Sequence, residues 1–98
     1  SSVKTSNDVL VEAENEWIKN PALAIDKYKS IVVSDSLSES GLKAAYFLAY
    51  NYDYIFVDLD SARIFYEWII KNHSTSDQAN SSKARLSLIS RLLTKNKK

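Results

Sequence analysis

Residues 41–57, GLKAAYFLAYNYDYIFV, constrain this chain more than any other stretch. The run carries little charge and is apolar or aromatic on nearly every side. A surface helix shows one apolar stripe, whereas a helix apolar all round is covered from several directions. Leu42, Ala45, Ala49, Tyr52 and Phe56 form one helical stripe, and Tyr46, Tyr50 and Tyr54 form a second. Leu48 and Ile55 fill the space between them. The alanines Ala44, Ala45 and Ala49 allow other helices to come close. The segment reads as the middle helix of an all-helical array.

One Gly and one Pro in 98 residues argue against a β-sandwich, which needs frequent tight turns. The length suggests one domain. There is no Cys, so neither disulfides nor thiol chemistry enter, and both reducing and oxidising compartments are compatible. The localisation stays open. No charge-free apolar run reaches the roughly 18 residues of a membrane span. The N-terminus does not read as a signal peptide and the chain holds no Met, which suggests an excised or processed piece of a longer chain.

Patterning predicts five helices. The first covers about 8–19, with Val9, Leu10, Ala13, Trp17 and Ile18 on its apolar face, after a frayed polar start over 1–7. Asn20-Pro21 opens the second, about 21–33, because Asn caps helices and Pro suits the first helical position. Its inner side is Ala24, Ile25, Tyr28, Ile31 and Val32. After a polar loop over 34–40, with a capping box at Ser36 and Glu39, the central helix runs to about Val57. Asp58 caps the fourth, about 59–72, with Ala62, Ile64, Phe65, Trp68 and Ile69 inward. The fifth, about 76–93, follows a second capping box at Thr75 and Gln78. Ala79, Leu86, Ile89 and Leu93 face inward with Leu88 and Leu92 beside them, while Ser82, Lys83, Arg85, Ser90 and Arg91 form a polar side. Residues 96–98 read as a tail.

Two stretches read alike, ALAIDKYKSIVV and DSARIFYEWIIKN, with Ala24 and Ala62 at corresponding places. A helix pair recurring at such a period is the mark of an α-solenoid, whose units bury their apolar sides by stacking. On Leu48, Ala49, Tyr52, Ala62, Phe65 or Tyr66, and Ile69 or Ile70, the chain resembles the tetratricopeptide repeat family. The nearest likeness is to the bacterial subgroup of outer-membrane assembly and cell-division coordinator proteins. His73-Ser74 replaces that subgroup's usual Tyr-Pro, and the repeats exceed the family's usual length of about 34 residues.

The resemblance implies one domain over 1–98: repeat 1 at about 8–34, repeat 2 at about 39–72 and a capping helix at about 76–94. The fold class is then all-α, with about five antiparallel helices as two helical hairpins and a C-terminal cap. It also implies a concave face lined by Lys43, Tyr46, Tyr50, Asp53 and Tyr54. Because Tyr46 and Tyr50 stand where a carboxylate-clamp subgroup has Lys and Asn, it implies no capture of a peptide C-terminus of that type.

No residues assemble into catalytic chemistry. His73 is the single His, and a metal site needs further ligands. Asp58 and Asp60 are better explained by a helix cap. No Gly-rich phosphate loop exists, so no cofactor is expected. Residues 73–98 hold six bases and one acid, but the pI of 7.9 and the lack of aromatics there argue against nucleic acid. The expected function is a non-enzymatic scaffold for a protein or peptide partner. The alternative is the end of a longer solenoid whose surfaces stack on repeats or on a second copy, as a homo-oligomer or in a bacterial envelope assembly complex.

Overall fold

The computed structural model describes residues 4–95. The helices are α1 (Ser6–Glu16), α2 (Pro21–Ser34), α3 (Glu39–Tyr54), α4 (Leu59–Asn72) and α5 (Asp77–Lys95), and among the described residues there is no strand. The fold is therefore all-α. The chain divides into two compact units, Ser1–Leu48 and Ala49–Lys98, with the boundary inside α3.

In the first unit α1 packs closely on α2. Part of the polar start expected to fray supplies the cap instead. The Asp8 N–H donates to Thr5 Oγ1 and the Thr5 N–H donates to Asp8 Oδ2, a reciprocal box. These bonds hold the Asp8 carboxyl below its ordinary range. Residues 1–3 and 96–98, the ends of the expected tails, lie outside the described residues. α1 stops at Glu16, short of the expected Lys19, and Ile18, in the turn beyond it, is exposed.

Ala13 and Ala24 are fully buried and leave room for Leu10, Tyr28, Ile31 and Val32. Phe47 lies 4.2 Å from the Tyr28 ring in a stack and 5.0 Å from Trp17 edge-on. Glu12 joins α1 to α2 through Lys27 at 3.1 Å and also pairs with Lys4, just before α1, at 3.0 Å, and both lysines lower its pKa. Such exposed pairs add little stability.

In the second unit α4 packs closely on α5. Ala62, Tyr66, Ile69, Ala79, Ser82 and Ile89 are buried. Several expectations fail here, and Leu88 and Leu92, expected beside the inward row of α5, are exposed. Ile64, expected inward, is exposed, and so is Ile55 beyond the end of α3. Ser82, expected on the polar side of α5, is fully buried, with Arg85 partly buried beside it.

The two units repeat each other locally. α2 and α4 are both 14 residues long. Each is capped by the residue before it, Asn20 accepting from the Leu23 N–H and Asp58 from the Ser61 N–H. Each ends on a residue of like backbone, Asp35 at φ −144° and His73 at φ −136°. The following turns match bond for bond. Ser38 Oγ donates to the Asp35 carbonyl and accepts from the Gly41 N–H, and Ser76 Oγ does the same with His73 and Ala79. Ser38 and Ser76 therefore cap α3 and α5, in place of the expected Ser36 and Thr75. In the first turn of α3, a Cβ on Gly41 would strike the Asp35 carbonyl oxygen, so glycine lets the loop lie this close.

The buried Tyr28 hydroxyl has no hydrogen-bond partner among the described residues. Burial pushes it up to about 12, with the Glu14 charge adding to the shift. The folded state thus favours the neutral phenol. Its contribution is complete below the unfolded value near 10 and is lost as pH rises through 12. Tyr28→Phe removes a hydroxyl that was buried without compensation. The variant should match or exceed the parent by up to about 1 kcal/mol in urea unfolding at neutral pH. It should also lose less stability than the parent in mild alkali. A loss above about 1 kcal/mol at neutral pH would show that the hydroxyl is bonded in solution.

Candidate functional site

The end of α3 and the chain just after it carry an exposed apolar surface within the second unit. Tyr50 is 48% exposed, Tyr54 51%, Ile55 60%, Phe56 46% and Val57 68%. The central run is thus covered only in its first part, where Ala44, Ala45, Leu48 and Ala49 are buried. α3 stops at Tyr54 rather than Val57. The Asn51 carbonyl accepts from both the Ile55 and Phe56 N–H groups, and the Tyr52 carbonyl accepts from the Asp58 N–H.

That wide turn places Val57 at φ 53°, in the left-handed region. For a β-branched residue this costs about 1–2 kcal/mol. The turn delivers Asp58 to cap α4, where Ser61 Oγ also donates to it at 2.7 Å.

Beneath this surface lies Asp53, 3% exposed. Its carboxylate is fully engaged. Arg85 of α5 donates through Nε to Oδ2 at 2.5 Å and through Nη2 to Oδ1 at 2.8 Å, a fork on a fork. The Tyr66 hydroxyl of α4 donates to Oδ2 at 2.9 Å. These bonds raise the Arg85 pKa further, against the opposing effect of its burial. One carboxylate thereby ties the last turn of α3 to both α4 and α5.

The same guanidinium lies over the Tyr54 ring, 4.7 Å from its centroid, a cation–π contact. Tyr54 in turn leans on Tyr50, with centroids 4.8 Å apart and rings tilted by 43°. A chain of contacts therefore runs from a buried carboxylate to two exposed tyrosines. Alongside, Tyr52 stacks nearly parallel on Phe65 at 5.9 Å and touches Phe56 at 5.8 Å.

The five residues placed on one face by resemblance fall in different settings. Tyr50 and Tyr54 are exposed together, and Asp53 lies under them rather than open to solvent. Lys43 is exposed and Tyr46 half-buried, and both belong to the first unit. Arg85, Tyr66, Ile55, Phe56 and Val57 were missed as site residues. The signal for Arg85 was Asp53, the single charge between Lys43 and Asp58: a charge inside an apolar helix needs a partner.

His73 is half-buried, with its ring 5.5 Å from Trp68. Among the described residues no three His, Cys, Asp or Glu side chains gather as metal ligands, and no helix is long and apolar enough to cross a membrane.

The chain matches no protein-family model, no curated protein and no solved structure.

Removing either member of the ion pair should have unequal costs. Arg85→Ala strands a buried carboxylate and should destabilise by about 3–5 kcal/mol. Asp53→Ala should cost less, because the Arg85 side chain, 24% exposed, can turn to water. Urea unfolding of both variants measures this, and equal or reversed costs would contradict the reading.

Proposed function

We propose that the protein is a non-enzymatic binding scaffold built from tetratricopeptide-like helical repeats. It engages a protein or peptide through the tyrosine-rich end of α3. The observation that carries this reading is the exposed run of Tyr50, Tyr54, Ile55, Phe56 and Val57. Tyr50 and Tyr54 adjoin, with ring centroids 4.8 Å apart, and exposed apolar side chains gathered in one segment in this way mark interaction sites.

Tyrosine suits such a site because it offers rigid apolar area and a hydroxyl at low entropy cost. The Tyr54 ring is held from behind by Arg85, so part of the ordering cost of binding is met before a partner arrives. Asp53 serves in this account as a positioning residue.

The recurrence of cap, helix and serine turn supports the repeat reading. So do the buried alanines Ala24 and Ala62 at matching places. The period is longer than the family's usual repeat of about 34 residues.

Affinity capture from an extract of the source cells tests the proposal, comparing the parent with a Tyr50→Ala/Tyr54→Ala variant whose helicity is unchanged. A partner held by the parent should bind the variant at least about 30-fold more weakly, the loss of one interface anchor. Equal capture by both would remove the tyrosines from recognition.

A further inference from the structure

The first and last helices, α1 and α5, carry opposite charge. The unit Ser1–Leu48 holds five bases and seven acids, net −2, whereas Ala49–Lys98 holds eight bases and five acids, net +3. On α1, Val11 and Glu14 share an exposed face with Ile18, which lies in the turn just past the helix. Ile18 is 91% exposed, an isolated apolar knob beside an acid.

On α5, Leu88 and Leu92 are exposed on one side, with Arg91 and Lys95 at the same helical spacing. That side borders a shallow, mostly apolar depression lined by Ser90, Arg91, Thr94 and Lys95. Neither Glu14 nor these two bases has an ion-pair partner among the described residues. One helix thus offers a knob with a negative charge, and the other a hollow with positive charge and two leucines.

We propose that the occupant of each of these surfaces is a second copy of this chain. α1 of one molecule docks on α5 of the next, with Ile18 entering the depression and Glu14 facing Arg91 and Lys95. The contact is head-to-tail. It pairs two different surfaces, so it either repeats from copy to copy or closes on itself in a two-fold dimer or a ring. The few residues involved make a small interface, and the association is weak and reversible. Its charged part is open to screening by salt. This inference is independent of the tyrosine surface, which lies on α3.

Sedimentation velocity over a range of protein concentrations tests it. The parent's weight-average sedimentation coefficient should rise with concentration above the monomer value. It should rise less in about 0.5 M salt than in about 0.05 M, where screening is weak. Glu14→Lys and Arg91→Glu should each lower the association constant by about tenfold, a loss of about 1.4 kcal/mol. The Glu14→Lys/Arg91→Glu double variant restores opposite charges across the contact and should recover association. Tyr50→Ala/Tyr54→Ala should associate like the parent.

A parent monomeric at every concentration overturns the proposal and leaves the two surfaces to other molecules or to solvent. So do single variants that associate as well as the parent. Loss of association only in the tyrosine variant would move self-contact to α3 and equally overturn it.

Discussion

The second unit depends on one carboxylate. Asp53 sits at the last turn of α3 with both oxygens engaged, by Arg85 from α5 and by Tyr66 from α4. An ionised group without water is tolerable only when it is paired and hydrogen-bonded. The geometry meets that demand on all sides. The result is a polar clasp holding three helices, and its outward face is the Arg85–Tyr54 contact. Stability and the presentation of the candidate site therefore share the same atoms.

The first unit shows what the same framework does without the clasp. At the offset that carries Ala62 back to Ala24, Tyr66 corresponds to Tyr28, Arg85 to Phe47 and Asp53 to Asn15. Asn15 is exposed, and Tyr28 stacks on Phe47 instead of meeting a charge. Its hydroxyl is left buried without a partner among the described residues. One unit is closed by aromatic packing and the other by an ion pair. An aromatic stack gives burial with little directional demand, whereas a forked ion pair fixes register.

Much of the fold was legible in the sequence because its signals were local. Asn20-Pro21 and Asp58 announced the starts of α2 and α4, and Ala24 and Ala62, read as inward, are both fully buried. The serine caps were harder to read. The loops offer several Ser and Thr at once, and the choice of Ser38 and Ser76 rests on where α2 and α4 end. The end of α3 was also missed, because apolar periodicity continues through Ile55 and Phe56 while the backbone turns at Val57. Tyr50 and Tyr54 could be named from the sequence, and Asp53 signalled that it needed a partner, but which residue supplies it could not be read. The clasp joins residues 32 apart, and local spacing carries no sign of that contact.

The measurement that reaches the centre of this account is a double-mutant cycle on the clasp, with Asp53→Asn, Arg85→Gln and the pair together, read by urea unfolding. The account predicts strong coupling, with the double variant less destabilised than the sum of the singles by about 1.5 kcal/mol or more. Agreement with the sum to within about 0.5 kcal/mol, as for independent sites, would contradict it.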